Sequence, residues 1–457
     1  MPEAALRSEG CAELASIAER IVGWARAGEE VEAYVSQSRS ISIRAYAGEV
    51  ESLSSAQTSG VGIRVVCRER QGFAYAGSLD PDVLAETLAE ARDNASFATP
   101  DPHVGLAAPD GVGAVPLDLW ADDLAECPTQ DKVAMALDLE ARVKAADPRI
   151  RLVQSADYGD GSGEAAVAST AGISVTSRGT GCYLSASAVA GSGDETQTAG
   201  GYSVARGLAG LDPERCAYDA VERSTRLLGA RKAASGRITV VLDRRVTTTL
   251  LGLLAGTLSG EAVEKGRSLF ADRVGERVGV AGITLIDDPT DPAAYGASTH
   301  DAEGLACRRN VLIEGGVLQG FVYDSYSGRR AGRSSTGSAV RGGFRSTPGV
   351  GCQAVALSPG ELSQAEVIDL VGEGMLVQSI TGVHSGVNPV SGDFSVGAEG
   401  LMIRGGSLAE PVREVTIAST IQRMLADVVA VGADLEWGLG VAAGVTLAIA
   451  EVSLSGS

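Results

Sequence analysis

The sequence predicts an α+β protein in two domains, spanning residues 1–234 and 235–457. Three observations lead there. The chain has 457 residues, long for a single hydrophobic core. Its apolar fraction, 44%, is enough for sizeable cores. Apolar runs bounded by turn residues alternate with stretches of helical periodicity, so strands and helices are interspersed. Aromatic residues make up only 4% of the chain while glycine reaches 59 residues, which implies cores of Val, Leu and Ala with many turns or close backbone approaches.

The elements follow in order. Leu14, Ile17, Ala18, Ile21 and Trp24 recur at helical spacing and define a first amphipathic helix. Strand-like runs come next, at 31–38, 40–45, 61–67 and 72–76. Asp80-Pro81 opens a second helix, an N-cap followed by proline at the first helical position, with Leu84, Leu88 and Ala91 on its core face. Residues 94–128 hold five prolines among Gly and Asp (Pro100, Pro102, Pro109, Pro116 and Pro128) and read as a surface connector. Thr129 is expected to cap a third helix running to Asp147.

Further strands are expected at 150–156, 165–169, 173–177, 182–190 and 197–205, and a fourth helix from Asp212-Pro213 to near Gly229. The domain boundary falls at 232–236. An apolar strand at 238–242 and a Leu-rich helix at 246–264 follow, then a strand-rich half. Gly315-Gly316 between two apolar runs, 311–314 and 317–323, marks a tight hairpin, because primed turns need positive φ. The N-terminal domain is thus expected to be a mostly antiparallel sheet with packed helices. The C-terminal domain is expected to be strand-rich around the buried Leu-rich helix.

Composition excludes several functions. The formal charge of −20 argues against nucleic acid and anionic membrane as main partners, since both need Lys and Arg to neutralise phosphates. Seven scattered cysteines without a C-x-x-C pair suit a reducing compartment. The start, Met1 to Arg7, has no basic stretch leading into an apolar core, and no run is long enough to span a bilayer. A cytoplasmic location is the expectation.

Five segments of the second half carry a resemblance. They are Gly266-Arg267-Ser268-Leu269-Phe270 with Val274-Gly275-Glu276, then Asp301-Ala302-Glu303-Gly304 leading into the hairpin, then Thr336-Gly337-Ser338-Ala339-Val340-Arg341. Gly386-Val387-Asn388-Pro389-Val390-Ser391-Gly392-Asp393-Phe394-Ser395 and Pro411-Val412-Arg413-Glu414-Val415 complete the series. In this order and spacing the chain resembles the TldD/PmbA family, and the late signature resembles its TldE (PmbA) branch. Ser338 departs from the family's usual Asn.

The resemblance implies a comparison with the TldD branch, where a His-Glu-x-x-x-His helix and a cysteine near the C-terminus supply zinc ligands and a base. Catalytic zinc needs three N, O or S ligands, an open position and a nearby carboxylate. Counting back from Gly266, that motif falls on Leu251–Gly256, so Leu251, Gly252 and Gly256 stand at degenerate ligand and base positions. The tail at 438–444 holds no cysteine, and the last one is Cys352. The resemblance therefore implies no metal and no catalytic residue in this chain. Zinc is expected in a TldD-type partner, in a heterodimer or higher assembly acting on an extended peptide or a small amide, including modified natural-product peptides. Arg341, His384, Asn388 and Asp393 are the candidate substrate-cavity residues.

Other constellations have plain alternatives. The three histidines are His103, His300 and His384. His300, Asp301 and Glu303, with Asp287, Asp288 and Asp291, form either an oxygen-rich cation site or a solvated loop, and the loop is preferred. His384 is either cavity-facing or a hydrogen-bonded structural residue. Arg329, Arg330, Arg333, Arg341 and Arg345 either bind an anion or decorate a mobile loop, with only Arg341 fixed by the family element. The glycines at 438–444 lack a following βαβ unit and are no dinucleotide loop. The rival readings are a stand-alone hydrolase built on His300, Asp301, Glu303 or His384, and a scaffold without a peptidase partner.

Overall fold

A computed structural model describes residues 9–456. The sequence expectation that concerns residues 1–7 lies outside the described residues. The first helix, α1 (Glu9–Val22), leads into β1 (Glu30–Tyr46), β2 (Glu49–Cys67) and β3 (Arg70–Ala76). Helices α2 (Pro81–Phe97), α3 (Asp122–Glu126) and α4 (Thr129–Ala146) precede β4 (Ile150–Ser169), β5 (Ser174–Ser192) and β6 (Glu195–Ala205), and α5 (Pro213–Arg226) closes this half. The six strands make one antiparallel sheet in the order β3-β2-β1-β4-β5-β6.

One face of the sheet is covered by helices in two groups. Leu14, Ala18 and Ile21 of α1 and Leu84, Leu88 and Ala91 of α2 pack on alternate residues of β1 and β2: Val31, Ala33, Val35, Val61, Ile63 and Val65. Ala136, Leu139 and Val143 of α4 and Cys216, Ala217 and Ala220 of α5 pack on Ile43, Ala156, Tyr158, Leu184 and Ala186.

The strands are longer than the sequence suggested. The runs at 31–38 and 40–45 are one strand, as are 150–156 with 165–169, and 173–177 with 182–190. Glycines and serines at the strand centres remove the apolar alternation while the backbone ladder continues. Two of those glycines serve ring packing. A Cβ on Gly159 would lie 2.4 Å from the Tyr183 ring, and one on Gly181 would lie 2.6 Å from Tyr295.

Two helix expectations need correction. Thr129 is the first residue of α4 and Pro128 occupies the cap position, without a side-chain cap bond. The expected helix at 246–264 is broken into α6 (Arg244–Ala255) and α7 (Gly260–Glu264). Gly256 ends α6, and the Ser259 hydroxyl accepts the Ala262 N–H to start α7. Between them the chain extends, with Leu258 O accepting from Val322 N and Gly260 N donating to Val322 O.

The second half begins with β7 (Gly236–Leu242). It lies parallel to Gly374–Thr381 and antiparallel to Leu447–Ser455. Asp393–Arg404 and Ser407–Thr420 continue the sheet, and Ser407–Thr420 also pairs with Leu447–Ser455, which closes a five-stranded barrel. The largest core cluster fills this region and takes in Val246, Leu250, Leu251 and Leu254 of α6. The hairpin forms as expected, with Glu314 opposite Val317 and positive φ at Gly315 (53°) and Gly316 (78°), although its second strand stops at Leu318.

Cys67, Cys127, Cys182, Cys216, Cys307 and Cys352 are free thiols. Among the described residues no helix is long and apolar enough to cross a membrane.

Candidate functional site

Helix α6 positions the site. Its N-cap Asp243 accepts the Arg245 N–H at 3.0 Å. Five apolar residues, Val246, Leu250, Leu251, Leu254 and Ala255, anchor one side in the core. The other side borders a cleft of about 310 Å³. Gly252 and Gly256, one turn apart and so on one face, line it together with Ala255. Leu251 points elsewhere. It is 1% exposed within the barrel core, because adjacent helical residues project about 100° apart.

The opposite wall brings sequence-distant residues to the helix. Val350, Gly351 and Cys352 form one side, and Val441 comes from the C-terminal tail. The tail is held close: a Cβ on Gly444 would fall 2.0 Å from the Arg244 carbonyl. Helix and tail, the two segments expected to carry ligands in the zinc-bearing branch, therefore meet at one cleft.

The side chains in this cleft do not suit zinc. Its ligating types are Cys352 and Glu261. Burial pushes the Cys352 thiol well above its ordinary pKa, and the thiol donates to Ala255 O at 3.8 Å. Glu261 is paired with Lys265. A catalytic zinc wants three ligands and an open position, and this lining contains no imidazole. Among the described residues no group of three His, Cys, Asp or Glu side chains is placed to hold a metal.

The remaining candidates lie elsewhere. His384 sits on the short helix Val383–Gly386 and is exposed, as are Asn388 and Asp393. Asn388 Oδ1 accepts the N–H groups of Val390 (2.9 Å) and Ser391 (3.2 Å), and Asp393 Oδ2 accepts the Ser391 hydroxyl at 2.6 Å. These three residues lie within ten positions of one another, between strands Gly374–Thr381 and Asp393–Arg404 and at the start of the latter, and none lines the α6 cleft.

Arg341 is buried, with its side chain 2% exposed. Its Nη2 donates to Glu32 Oε1 at 2.7 Å and to Ala302 O at 3.2 Å, and its guanidinium lies 4.6 Å from the Tyr34 ring centroid. Glu32 Oε2 takes Arg64 at 2.5 Å, directly across the β1–β2 ladder, and Arg64 lies 3.6 Å from Glu303. Burial alone would raise the Glu32 carboxyl, but Arg64 and Arg341 outweigh it and hold it below its usual range. Arg341 also borders a cavity of about 250 Å³ shared with His300 and Asp301.

The acidic cluster is no solvated loop. Asp287, Asp301 and Glu303 are 0%, 5% and 1% exposed. Asp301 accepts three backbone N–H groups, from Glu303, Leu305 and Ala339, and Glu303 accepts from Ser325 N. These carboxylates organise backbone rather than a cation. Nor is the arginine stretch wholly solvated. Arg329 donates to the carbonyls of His103, Gly105 and Leu106 and pins the connector to the second half. Sequence reasoning did not join Glu32 to Arg64 and Arg341, since nothing local in β1 marks a partner 309 residues away.

Asp287 gives a pH prediction. Burial leads in pushing it up to about 6, against the N–H groups of Gln353 and Ala354 that bond its Oδ1 at 2.8 and 2.7 Å. A raised folded-state pKa means stability present below pH 4 and lost as pH rises through 6. Asp287→Asn keeps the acceptor and removes the titration. Relative to the parent, the variant should gain ~3 kcal/mol between pH 4 and pH 7. Thermal melts across that range measure it, and parallel profiles for the two proteins would show that Asp287 does not titrate this way.

Comparison with known proteins fits this geometry. Family models described as PmbA/TldA metallopeptidase domain 1, central domain and C-terminal domain match residues 31–95, 122–228 and 235–456. The chain belongs to the PmbA/TldD metallopeptidase family. It is 27% identical over 426 residues to the metalloprotease PmbA of Escherichia coli O157:H7, covering 93% of this chain and 92% of that protein. It is 28% identical over 218 residues to a metalloprotease TldD homolog of Buchnera aphidicola, covering 47% of this chain and 45% of that protein. The crystal structure of TldE from Thermococcus kodakarensis shares the fold, with a TM-score of 0.88, 24% identity and coverage of 97% of this chain and 99% of that one.

Proposed function

We propose that this chain is the non-catalytic TldE/PmbA-type subunit of a heteromeric zinc peptidase. A TldD-type partner supplies zinc, the glutamate base and water activation. The observation that carries this reading is the α6 cleft. Gly252 and Gly256 face it where a ligand-bearing helix needs carboxylate and imidazole, and Val441 faces it from the tail. Glycine offers no donor atom, and the two partnered groups present, Cys352 and Glu261, fall short of a ligand set.

This chain's part is to enclose and grip an extended peptide or small amide. Support comes from the edge of its first sheet. β3 covers only Val61–Cys67 of β2, and residues 49–58 are exposed along the open edge. An open edge accepts extended backbone with little regard to sequence.

The test is to purify this chain, a TldD-type partner and the pair. Zinc content and cleavage of an unfolded peptide are measured for each. The expected outcome is zinc in the partner and the pair, with cleavage only when both chains are present. Stoichiometric zinc and cleavage in this chain alone would sink the proposal.

A further inference from the structure

The sheet of the first half has a second open edge, on β5. The β6 ladder on β5 runs from Ser192 back only to Cys182, where Ala205 ends it, while β5 itself reaches Ser174. The start of β5 is therefore paired on one side only, with β4. Its other side does not face open solvent. Residues 174–179 line a cavity of about 720 Å³, walled opposite by residues 117–119 of the connector, by Arg206 and by the loop at 297–300.

Alternation along the strand fixes which backbone groups face that cavity. In an antiparallel pair, successive residues turn their N–H and C=O groups to opposite sides. Ile173 O accepts Ser169 N, so odd-numbered residues bond across to β4. Thr180 N donates to Leu119 O at 2.9 Å, so even-numbered residues point away from β4. The register with β4 is unbroken from Ser174 to Ser187. Thr176 and Arg178 thus present both backbone groups to the cavity, and neither residue meets a backbone partner there among the described residues. The connector already uses the end of this edge: Ala121 N also donates to Thr180 Oγ1 at 3.0 Å.

The space beside the edge suits an extended chain. From Ser174 to Arg178 it runs roughly 13 Å, the rise of four strand residues. Small residues flank it: a Cβ on Gly179 would meet nothing nearer than 3.7 Å, and one on Gly163 nothing nearer than 3.8 Å. The charges on the wall offset one another, Asp118 and Glu164 against Arg178 and Arg206. Burial lowers the His300 pKa, so that ring adds no charge at pH 7. A free ion gains little from such a wall, whereas a neutral peptide backbone gains partners for Thr176 and Arg178.

We propose that an extended peptide adds to β5 as a strand inside this cavity, its backbone paired with that of Thr176 and Arg178. The proposal rests on the peptide-gripping role given above and places a grip within the molecule, apart from the solvent-facing stretch of β2 at 49–58.

The test uses the whole chain and the capped hexapeptide acetyl-Ser-Val-Thr-Val-Ser-Ala-amide. Amide hydrogen exchange, read by mass spectrometry, is expected to slow at residues 174–179 when the peptide is added. Two N-methylated forms of the peptide, one modified at its second and fourth residues and one at its third and fifth, turn their methyl groups to opposite sides of the strand. In fluorescence anisotropy one form should bind at least about tenfold more weakly than the other, the worth of one or two backbone hydrogen bonds. Thr176→Pro removes an edge N–H without touching the β4 ladder, a place where strands tolerate proline, and it should weaken the unmodified peptide about tenfold. Should that variant fail to fold, the N-methylated pair reads the same edge in the parent chain.

Unchanged exchange at 174–179, equal affinity of the two N-methylated forms, or parental affinity in folded Thr176→Pro overturns the site. Slowing confined to 49–58 moves the peptide to β2, and slowing at 174–179 that follows protein concentration without peptide gives the edge to a second copy of the chain. Either result overturns the proposal. No arm needs zinc or a peptidase partner, so zinc-dependent cleavage by this chain alone would sink the subunit reading while leaving strand addition at β5 standing.

Discussion

Arg341→Ala is expected to lower the stability of the chain by about 3–5 kcal/mol, the usual cost of removing one partner from a buried ion pair. The side chains of Arg341, Glu32 and Arg64 are each no more than 5% exposed. Without Arg341, Glu32 keeps Arg64 alone, Tyr34 loses the cation over its ring, and Ala302 O loses a donor. The effect crosses the molecule, because Glu32 belongs to β1 while Arg341 and Ala302 belong to the second half. A thermal melt together with limited proteolysis reads it. A double-mutant cycle with Glu32→Gln isolates the pair, since contacting residues are not additive. Parental stability in Arg341→Ala, joined to weaker peptide cleavage by the assembled pair, would instead return Arg341 to the substrate cavity.

Grafting the His-Glu-x-x-x-His motif onto α6, as the triple change Leu251→His, Gly252→Glu and Gly256→His, is expected to fail as a metal site. Residues 252 and 256 face the cleft, but Leu251 is buried among apolar side chains. An imidazole there exchanges apolar packing for an unmatched polar ring, at a cost of ~3 kcal/mol. With Val441 on the opposite wall, the cleft also lacks a third ligand. The triple variant should melt well below the parent and carry no stoichiometric zinc by elemental analysis. The double change Gly252→Glu and Gly256→His should stay folded, since a Cβ on Gly252 meets open space and one on Gly256 meets nothing nearer than 3.5 Å. Stoichiometric zinc in the triple variant would mean that the helix turns Leu251 toward the cleft.

Much of this was legible along the chain. The α+β class, the helix starts at Asp80-Pro81 and Asp212-Pro213, and the Gly315-Gly316 turn all rest on local rules, where a few adjacent residues fix the backbone. That residues 251–256 read Leu-Gly-Leu-Leu-Ala-Gly, and that the last cysteine is Cys352, are likewise properties of the sequence. The long strands were not legible. In β4 and β5, glycine and serine occupy the positions whose alternation would have marked a sheet, and Tyr183 and Tyr295 fill the space above.

Sequence by itself determined the family, the elements with strong local signals, and which residue types stand along the helix and the tail. Tertiary structure alone decided which helical positions face the cleft, that Val441 and Cys352 join it, that Asp287, Asp301 and Glu303 are buried, and that Arg341 is tied to Glu32. The physical reason is range. Caps, turns and side-chain chemistry act over a few residues, whereas burial and charge pairing depend on surfaces that meet only when segments hundreds of residues apart are folded together.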